Sequence, residues 1–512
     1  MFLGSEITTE PAFGKAYNVE KANKLDGEFI LRKSNREVTM KKKLFIHGEW
    51  VEAEQYCELR APFSGEVIAR IPQATEKETG QAIEAAYQAK RMMANMTAFQ
   101  RAEILENVVR LLKERQEEAA HIIALEAAKP LKMARLEVAR TLETYKFSAE
   151  EAKRIYGETL PLDASAFGAN RLAYTKYEPL GVVGAITPFN FPMNLVAHKV
   201  GPAIASGNTV VLKPASQTPL SSFFIGEIFE QAGLPKGALN IVTGSGQTVG
   251  EKIVQDPRIN VVTFTGSPSV GIGIRNKGGL KRVILELGSN SAVIVDKGIH
   301  VPDIIPRCVT GAFSYQGQVC ISVQRIYVHE SIFDTFVDQF VKATEALNIG
   351  DPLDENTDIS ALISPKDVQR TLLWIEEALG SGAKLLTGGE AVGNILKPTI
   401  LADVEPALKV SCQEVFAPIV IINKVKSMEE AYGLVNDSRY GLQAGIYTNN
   451  ITTALEAADK LHVGGVMIND IPTFRVDHMP YGGVKESGMG REGIKYSMHE
   501  MMEMKLVVWN RT

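Results

Sequence analysis

The sequence predicts an α/β protein made of two successive doubly wound units, and three patterns carry that reading. From Gly181 onward, short runs rich in β-branched residues (GVVGAITPF, NTVVLKPA, LNIVTG, INVVTFTG, KRVILEL) alternate with helical stretches. Each run is brief and lacks strict apolar–polar alternation, as expected of parallel strands buried on both faces. After Leu287 a second series follows (SAVIV, RIYVHE, PIVIINKV, VMIND), with helices expected over 331–347 and 366–379. The third pattern differs: Leu172 to Thr175 and Met504 to Val508 read as strands of period 2. The late strand needs a partner, and residues 171–177 of its own or a neighbouring chain are expected to supply it.

Taken in order, residues 1–39 are polar, broken by Pro11, Gly14 and Gly27, and read as an N-terminal extension, either an appendage or an upstream start ahead of Met40. They lack the basic and long apolar segments of a secretory signal. A strand and turn begin at Lys43-Leu44-Phe45-Ile46. Thr75 with Glu78 and Thr97 with Gln100 have capping-box spacing, each ahead of a helical apolar stripe. In the second of these helices the stripe is Ile104, Val108, Leu111 and Leu112. Thr218-Pro219 reads as an N-cap followed by Pro at the first helical position. The expected division joins 40–156 to 178–287 in the first unit, gives 288–480 to the second, and leaves 157–177 with 496–512 as a small sheet.

Composition narrows the function classes. At 512 residues the chain should hold two or three domains, and its 45% hydrophobic and 22% charged content is that of a globular protein. A net charge of −5 argues against nucleic acid as the main partner. No apolar stretch approaches the roughly 20 residues a membrane helix needs. Four cysteines (Cys57, Cys308, Cys320, Cys412) are too few for a disulfide framework and their spacing suits no zinc site, so no metal is expected and a reducing, cytoplasmic setting is.

Chemistry-bearing residues stand at the ends of the expected strands. Cys320, in GQVCIS, follows Gly317 where a helix expected over 302–316 ends; a nucleophilic thiol needs partial exposure and a nearby base. Glu286 closes an apolar strand at the carboxyl edge, where a carboxylate could take a proton from a thiol or from water. Asn190, in TPFNFP, follows a buried strand and offers an amide to an oxyanion. Taken singly, each has a structural alternative: a small buried hydrophobe, a solvated strand end, a turn asparagine. Gly266-Ser267-Pro268-Ser269-Val270-Gly271 joins a strand to a helix whose first amides favour phosphate. Its GxxxxG spacing is not the dinucleotide fingerprint, so spacing alone leaves the matter open. Lys213 ends the strand NTVVLKPA, placed to meet a ribose or phosphate.

Seven motifs in order, PFNFP (188–192), GNTVVLKP (207–214), FTGS (264–267), ELG (286–288), GQVC (317–320), EVFAP (414–418) and YGGVKESGMGREG (481–493), resemble those of the aldehyde dehydrogenase superfamily. The resemblance runs from about Leu44 to the last strand, and the 34 residues between Glu286 and Cys320 match the family interval (320 − 286 = 34). It implies a Rossmann-like cofactor domain, an α/β catalytic domain and a small bridging sheet that builds a homodimer or homotetramer. It further implies Cys320 as nucleophile, Asn190 as oxyanion donor with the Cys320 backbone amide, and Glu286 as the base that activates water. NAD or NADP would be held by Phe189, Lys213, Ser216, Gly266, Ser267, Gly271, Leu287, Glu414 and Phe416. The reaction implied is oxidation of a small aldehyde to its acid through a cysteine thioester.

Departures from the family pattern bear on cofactor and substrate. Many NAD-preferring relatives carry a glutamate three residues after the lysine of the KP motif; here Ser216 stands there, which leaves NADP open. Ser289-Asn290-Ser291 replaces a common Gly-Lys after ELG. Arg140, Arg475 and His478 resemble positions that bind phosphate in the lactaldehyde and non-phosphorylating glyceraldehyde-3-phosphate dehydrogenase-like members. Val319 precedes the nucleophile where that group commonly has arginine, so a smaller hydroxylated or anionic aldehyde is expected: lactaldehyde, sulfolactaldehyde or succinic semialdehyde.

Overall fold

Five parallel strands form the centre of an eight-stranded sheet in this structure, a computed structural model that describes residues 40–511. The extension expected at 1–39 lies outside the described residues. From one edge the sheet runs Gly488–Met489, Arg282–Glu286, Val261–Thr265, Val182–Ile186, Thr209–Lys213, Leu239–Ile241, Leu44–Ile46 and Glu49–Val51. The five from Arg282–Glu286 to Leu239–Ile241 are parallel, and antiparallel strands close both edges. Val182–Ile186 and Thr209–Lys213 are buried throughout, which is why their sequences show no alternation. The chain leaves Val182–Ile186 toward one edge and returns at Val261–Thr265 toward the other. The crevice at the carboxyl ends of that pair is where an open α/β sheet takes ligands.

A second sheet has seven strands, Lys384–Thr387, Thr399–Ala402, Ile419–Val425, Arg325–His329, Ala292–Val295, Gln443–Tyr447 and Gly465–Ile468, parallel except for the first. The late strand Met502–Asn510 pairs with Arg171–Pro179 of its own chain, in register from Met502 opposite Pro179 to Asn510 opposite Arg171. Thr159–Leu160 completes that three-stranded sheet. The fold is thus α/β with parallel, Rossmann-like sheets.

Both expected capping boxes are present. Thr75 and Thr97 head the helices Glu76–Asn95 and Ala98–Glu114, and each backbone N–H donates to the side chain three residues on, Glu78 or Gln100, at 2.9 Å. Two further helices, Gln116–Ala127 and Leu131–Glu151, start without side-chain caps. The second buries Glu137, Thr141, Thr144 and Ser148 along with its apolar residues, so hydrophobic spacing alone marks it poorly.

Thr218-Pro219 behaves differently from expectation. The helix is Leu220–Gln231, Pro219 precedes it, and the Thr218 hydroxyl donates to the Phe189 carbonyl at 3.4 Å. Its first amides are taken by Glu126, which is buried on the helix Gln116–Ala127. The carboxylate accepts from Leu220 N at 2.7 Å, Ser221 N at 2.9 Å and the Ser221 hydroxyl at 2.5 Å. Burial pushes the Glu126 carboxyl up to about 8, against the pull of these donors. A buried N–H left without a partner costs about 1–3 kcal/mol. Glu126→Ala should therefore lower the thermal midpoint by about 2–6 °C, and Glu126→Gln, which keeps an acceptor oxygen, by less; scanning calorimetry reads both.

Candidate active site

A cleft of about 1190 Å³ opens at the carboxyl ends of the first sheet and runs down to Cys320, Glu286 and Arg475. Glu286 is the last residue of its strand, and its backbone carbonyl accepts from Gly266 N at 3.0 Å. The carboxyl group is buried and neither oxygen has a hydrogen-bond partner. Burial, then the charge of Glu492, raises it well above the usual carboxylate range, against Arg475, Lys199 and Arg491. Burial and Glu492 thus favour its protonated form over the carboxylate.

Cys320 is aimed by a strained turn. The helix Val301–Phe313 ends, and Tyr315 (φ 49°), Gln316 (φ 55°) and Gly317 (φ 68°) follow in left-handed conformation. A Cβ on Gly317 would lie 2.2 Å from the Ala417 carbonyl oxygen, so only glycine fits. Left-handed non-glycine residues cost about 1–3 kcal/mol each. Hydrogen bonds hold both: the Tyr315 hydroxyl donates to Ala127 O at 3.0 Å, and the Gln316 amide to Ala128 O at 3.0 Å and Ala361 O at 2.9 Å. The half-buried thiol lies 3.0 Å from the Tyr481 hydroxyl. Burial pushes it up to about 11, with Tyr481 and Arg475 pulling the other way. Cys308 is fully buried and pushed to about 12, and Cys57 is exposed.

Asn190 is buried beside this turn, its amide N–H donating to Gln318 O at 3.0 Å while its Oδ1 has no partner. Two buried charges clamp its loop. Lys129 Nζ donates to Asn190 O at 2.7 Å and pairs with Glu137, which accepts from Met193 N at 2.9 Å and Asn194 N at 3.1 Å. The Asn190 amide thus sits on backbone fixed from below.

Of the expected cofactor residues, Phe189, Lys213, Ser216, Gly266, Ser267, Leu287, Glu414 and Phe416 line the cleft. Gly271 does not; a Cβ there would lie 2.4 Å from Leu287 Cδ2, so its bareness serves helix–strand packing. Ser267 precedes the helix Pro268–Lys277 without a side-chain cap, which leaves the first amides open to a phosphate. Lys213 is buried, meets only Pro214 O at 3.3 Å, and is pushed down to about 8 by burial. Glu414 accepts from Ser289 N at 3.0 Å and burial pushes it up to about 7. Phe189 and Phe416 meet edge to face with centroids 5.7 Å apart. An open helix N-terminus, an underused ammonium and a glycine-lined cradle fit a dinucleotide. Sequence reasoning missed the wall formed by Gln247 and, one turn apart on the helix Pro365–Gly380, Arg370 and Trp374.

At the inner end, Arg475 lines the cleft but Arg140 and His478 do not. Arg140 is committed to Asp477, donating at 2.7 and 3.1 Å, and His478 is exposed against Phe147. Arg475 donates to Glu492 at 2.9 Å, while its buried Nε–H has no partner. Glu492 also meets Lys199 at 3.2 Å, and Lys199 and Arg475 hold it low despite burial. His198 bonds Asp477 at 2.8 Å; burial and then Arg475 lower its pKa, against Asp477 and Glu492. Lys199, His198, Glu492 and Tyr481 carried no sequence assignment. The available signal was a His-Lys pair in the helix Asn194–Ala205, buried at every position. Among the described residues no cluster of His, Cys, Asp or Glu is placed to hold a metal.

A profile described as the aldehyde dehydrogenase family matches residues 50–507, and the chain belongs to that family. It is an NAD(P)-dependent oxidoreductase acting on aldehydes. It is 45% identical over 467 residues to a 3-sulfolactaldehyde dehydrogenase of Priestia aryabhattai, covering 91% of this chain and 98% of that one. Among solved structures it is similar to aldehyde dehydrogenase 21 of Physcomitrella patens in complex with the reaction product succinate. The two are 41% identical with a TM-score of 0.91, over 93% of this chain and 99% of that one. The glyceraldehyde-3-phosphate dehydrogenase GapN of Methanocaldococcus jannaschii, complexed with NADP, is 42% identical with a TM-score of 0.86, over 89% and 100%.

Gly288 offers a local test of the cradle. A Cβ there would lie 2.6 Å from Glu414 Oε2, the free end of a side chain, so the carboxylate would move rather than the backbone. Gly288→Ala should weaken NADP binding at least about fivefold, roughly 1 kcal/mol, while leaving the thermal midpoint within a few degrees; fluorescence titration and a melting curve separate the two.

Proposed function

We propose that the protein oxidises a small aldehyde, hydroxylated or anionic, to its carboxylic acid through a thioester on Cys320. The observation that carries the substrate class is the partnerless, buried Nε–H of Arg475 at the base of the cleft. A guanidinium already paired with Glu492 has room for one further acceptor, such as a hydroxyl or one oxygen of a carboxylate or sulfonate. It lacks the pairing capacity of a dedicated phosphate site. 3-Sulfolactaldehyde, lactaldehyde and succinic semialdehyde all meet this description, and the first names the substrate of a similar enzyme.

In this mechanism the Cys320 thiolate adds to the carbonyl carbon. The oxyanion is held by the Asn190 amide, turned from Gln318 O, and by the Cys320 backbone N–H. The nicotinamide, when bound against Phe416 with its ribose at Glu414, supplies the hydride acceptor. Glu286 then takes a proton from the water that attacks the thioester, and Cys320 leaves as the acid forms. A base at this place favours water over coenzyme A as acceptor. Lys213 and Ser267 hold the adenosine ribose and the pyrophosphate, and the neutral Ser216 admits NADP as well as NAD. We place the protein in the cytoplasm as a homodimer or homotetramer joined through the edge strand Met502–Asn510, whose Met504, Leu506, Val508 and Trp509 are exposed. The division at 40–156 with 178–287, 288–480, and 157–177 with 496–512 belongs to the same proposal.

Mixed with NADP and each of the three aldehydes, the protein should release acid without coenzyme A. Glu286→Gln should keep a burst of reduced cofactor and then turn over slowly. Because Glu286 works in its deprotonated form and its pKa is raised, the hydrolysis rate of the parent should climb as pH rises through that raised value, and the variant should lose the climb. A burst that vanishes with the steady state would assign Glu286 to activating Cys320 instead.

Ser216→Glu tests the cofactor reading. Two like charges about 4 Å apart in an effective dielectric near 20 repel by about 4 kcal/mol, and a quarter of that is roughly fivefold in affinity. The substitution should lower kcat/KM for NADP at least about fivefold with little change for NAD. Equal discrimination by parent and variant would show that Ser216 does not face the ribose.

A further inference from the structure

The Tyr481 hydroxyl has one hydrogen-bond partner, the Cys320 sulfur, at 3.0 Å. The tyrosine is buried and its backbone is fixed on both sides: its N–H donates to Glu492 O at 3.0 Å and its carbonyl accepts from Glu492 N at 2.6 Å. The Arg475 guanidinium lies 3.7 Å from the centroid of its ring. A cation on the face of a phenol stabilises negative charge drawn onto the ring, and so makes the hydroxyl a stronger donor. Nothing competes for that donor among the described residues, and the Arg475 guanidinium packs on the face of the ring.

We propose that Tyr481 is a catalytic residue whose hydroxyl donates the hydrogen bond that holds the Cys320 thiolate ready for attack. The inference rests on Cys320 being the nucleophile. The groups facing the sulfur divide by sign. Glu286 from the strand end and Glu414 from the opposite loop oppose a thiolate, with Glu492 behind Glu286, whereas Arg475 favours it. Tyr481 supplies the direct donor in that set. Once the sulfur forms its bond to carbon it loses its negative charge, the hydrogen bond weakens, and the hydroxyl becomes free for an oxygen of the bound substrate.

The test reads the sulfur itself, with no substrate or cofactor. Iodoacetamide labelling of Cys320 is followed by peptide mass against pH in the parent and in Tyr481→Phe. A hydrogen bond to a charged group corresponds to about one unit of pKa. The labelling midpoint should therefore rise by about one unit, with roughly tenfold slower labelling below it. NADP affinity and the thermal midpoint should stay near parental values. A midpoint unmoved within about 0.2 units overturns the proposal and leaves Tyr481 as packing. Should Tyr481→Phe fail to fold, 3-fluorotyrosine at position 481, a more acidic phenol, should move the midpoint down, and an unmoved midpoint is again negative. Cys320→Ala separates the two readings: turnover that survives it defeats the nucleophile assignment whatever Tyr481 does.

Discussion

The active site depends on one segment, residues 481–493, folding back over the end of the strand Arg282–Glu286. Gly488 pairs with Glu286 and Met489 with Leu285, in antiparallel register. Ser487 fastens the join: its carbonyl accepts from Leu287 N at 2.9 Å, and its hydroxyl donates to Gly288 O at 2.7 Å while accepting from Gly441 N at 2.9 Å. Each end of the segment then delivers one side chain, Tyr481 to the sulfur and Glu492 to Lys199 and Arg475. Without this return the carboxyl edge of the first sheet would be open to water, and Glu286 would titrate as an ordinary surface carboxylate. The segment is what buries these groups, and burial is what shifts them.

Such burial is expensive unless charges are paired. Lys129 with Glu137 and Arg140 with Asp477 are paired, the first pair also gripping the Asn190 loop and the second fixing His198. These networks fix geometry near the chemistry while taking no part in it. Glu286 is the exception, buried with two oxygens unpartnered, which is intelligible for a group whose partner is a reactant.

The sequence shows the fold well because parallel strands buried on both faces leave a strong imprint, as do two capping boxes that close within three residues. Contacts that close over long distances leave none. Glu126 caps a helix 94 residues away, and no local pattern at Thr218-Pro219 could announce that the cap comes from elsewhere. The site divides the same way. Cys320, Glu286 and Asn190 stand at strand or helix ends that position alone makes suspicious. Tyr481 and Glu492 lie in a glycine-rich stretch without periodicity, where nothing local says which side chains turn inward. Arg140 looks like an anion-binding residue until Asp477, far along the chain, is seen to take its Nε and one terminal nitrogen in a two-bond pair.

The charges at the base of the cleft also bear on how the two half-reactions are kept in order. Around Glu286, Arg475, Lys199 and Arg491 favour the ionised carboxylate, while burial and the charge of Glu492 oppose it. The same cations would serve an oxyanion or an anionic group of the substrate, and these compete with ionisation of Glu286 because they share the same low-dielectric space. While an anion occupies the site, Glu286 holds its proton more tightly and is a poor base. On the proposed route, collapse of the oxyanion to a neutral thioester makes loss of that proton easier, so the carboxylate would form when water must be activated. A neutral aldehyde exerts the weaker hold and an anionic one the stronger, so the same cations that draw an anion in also slow its release as acid.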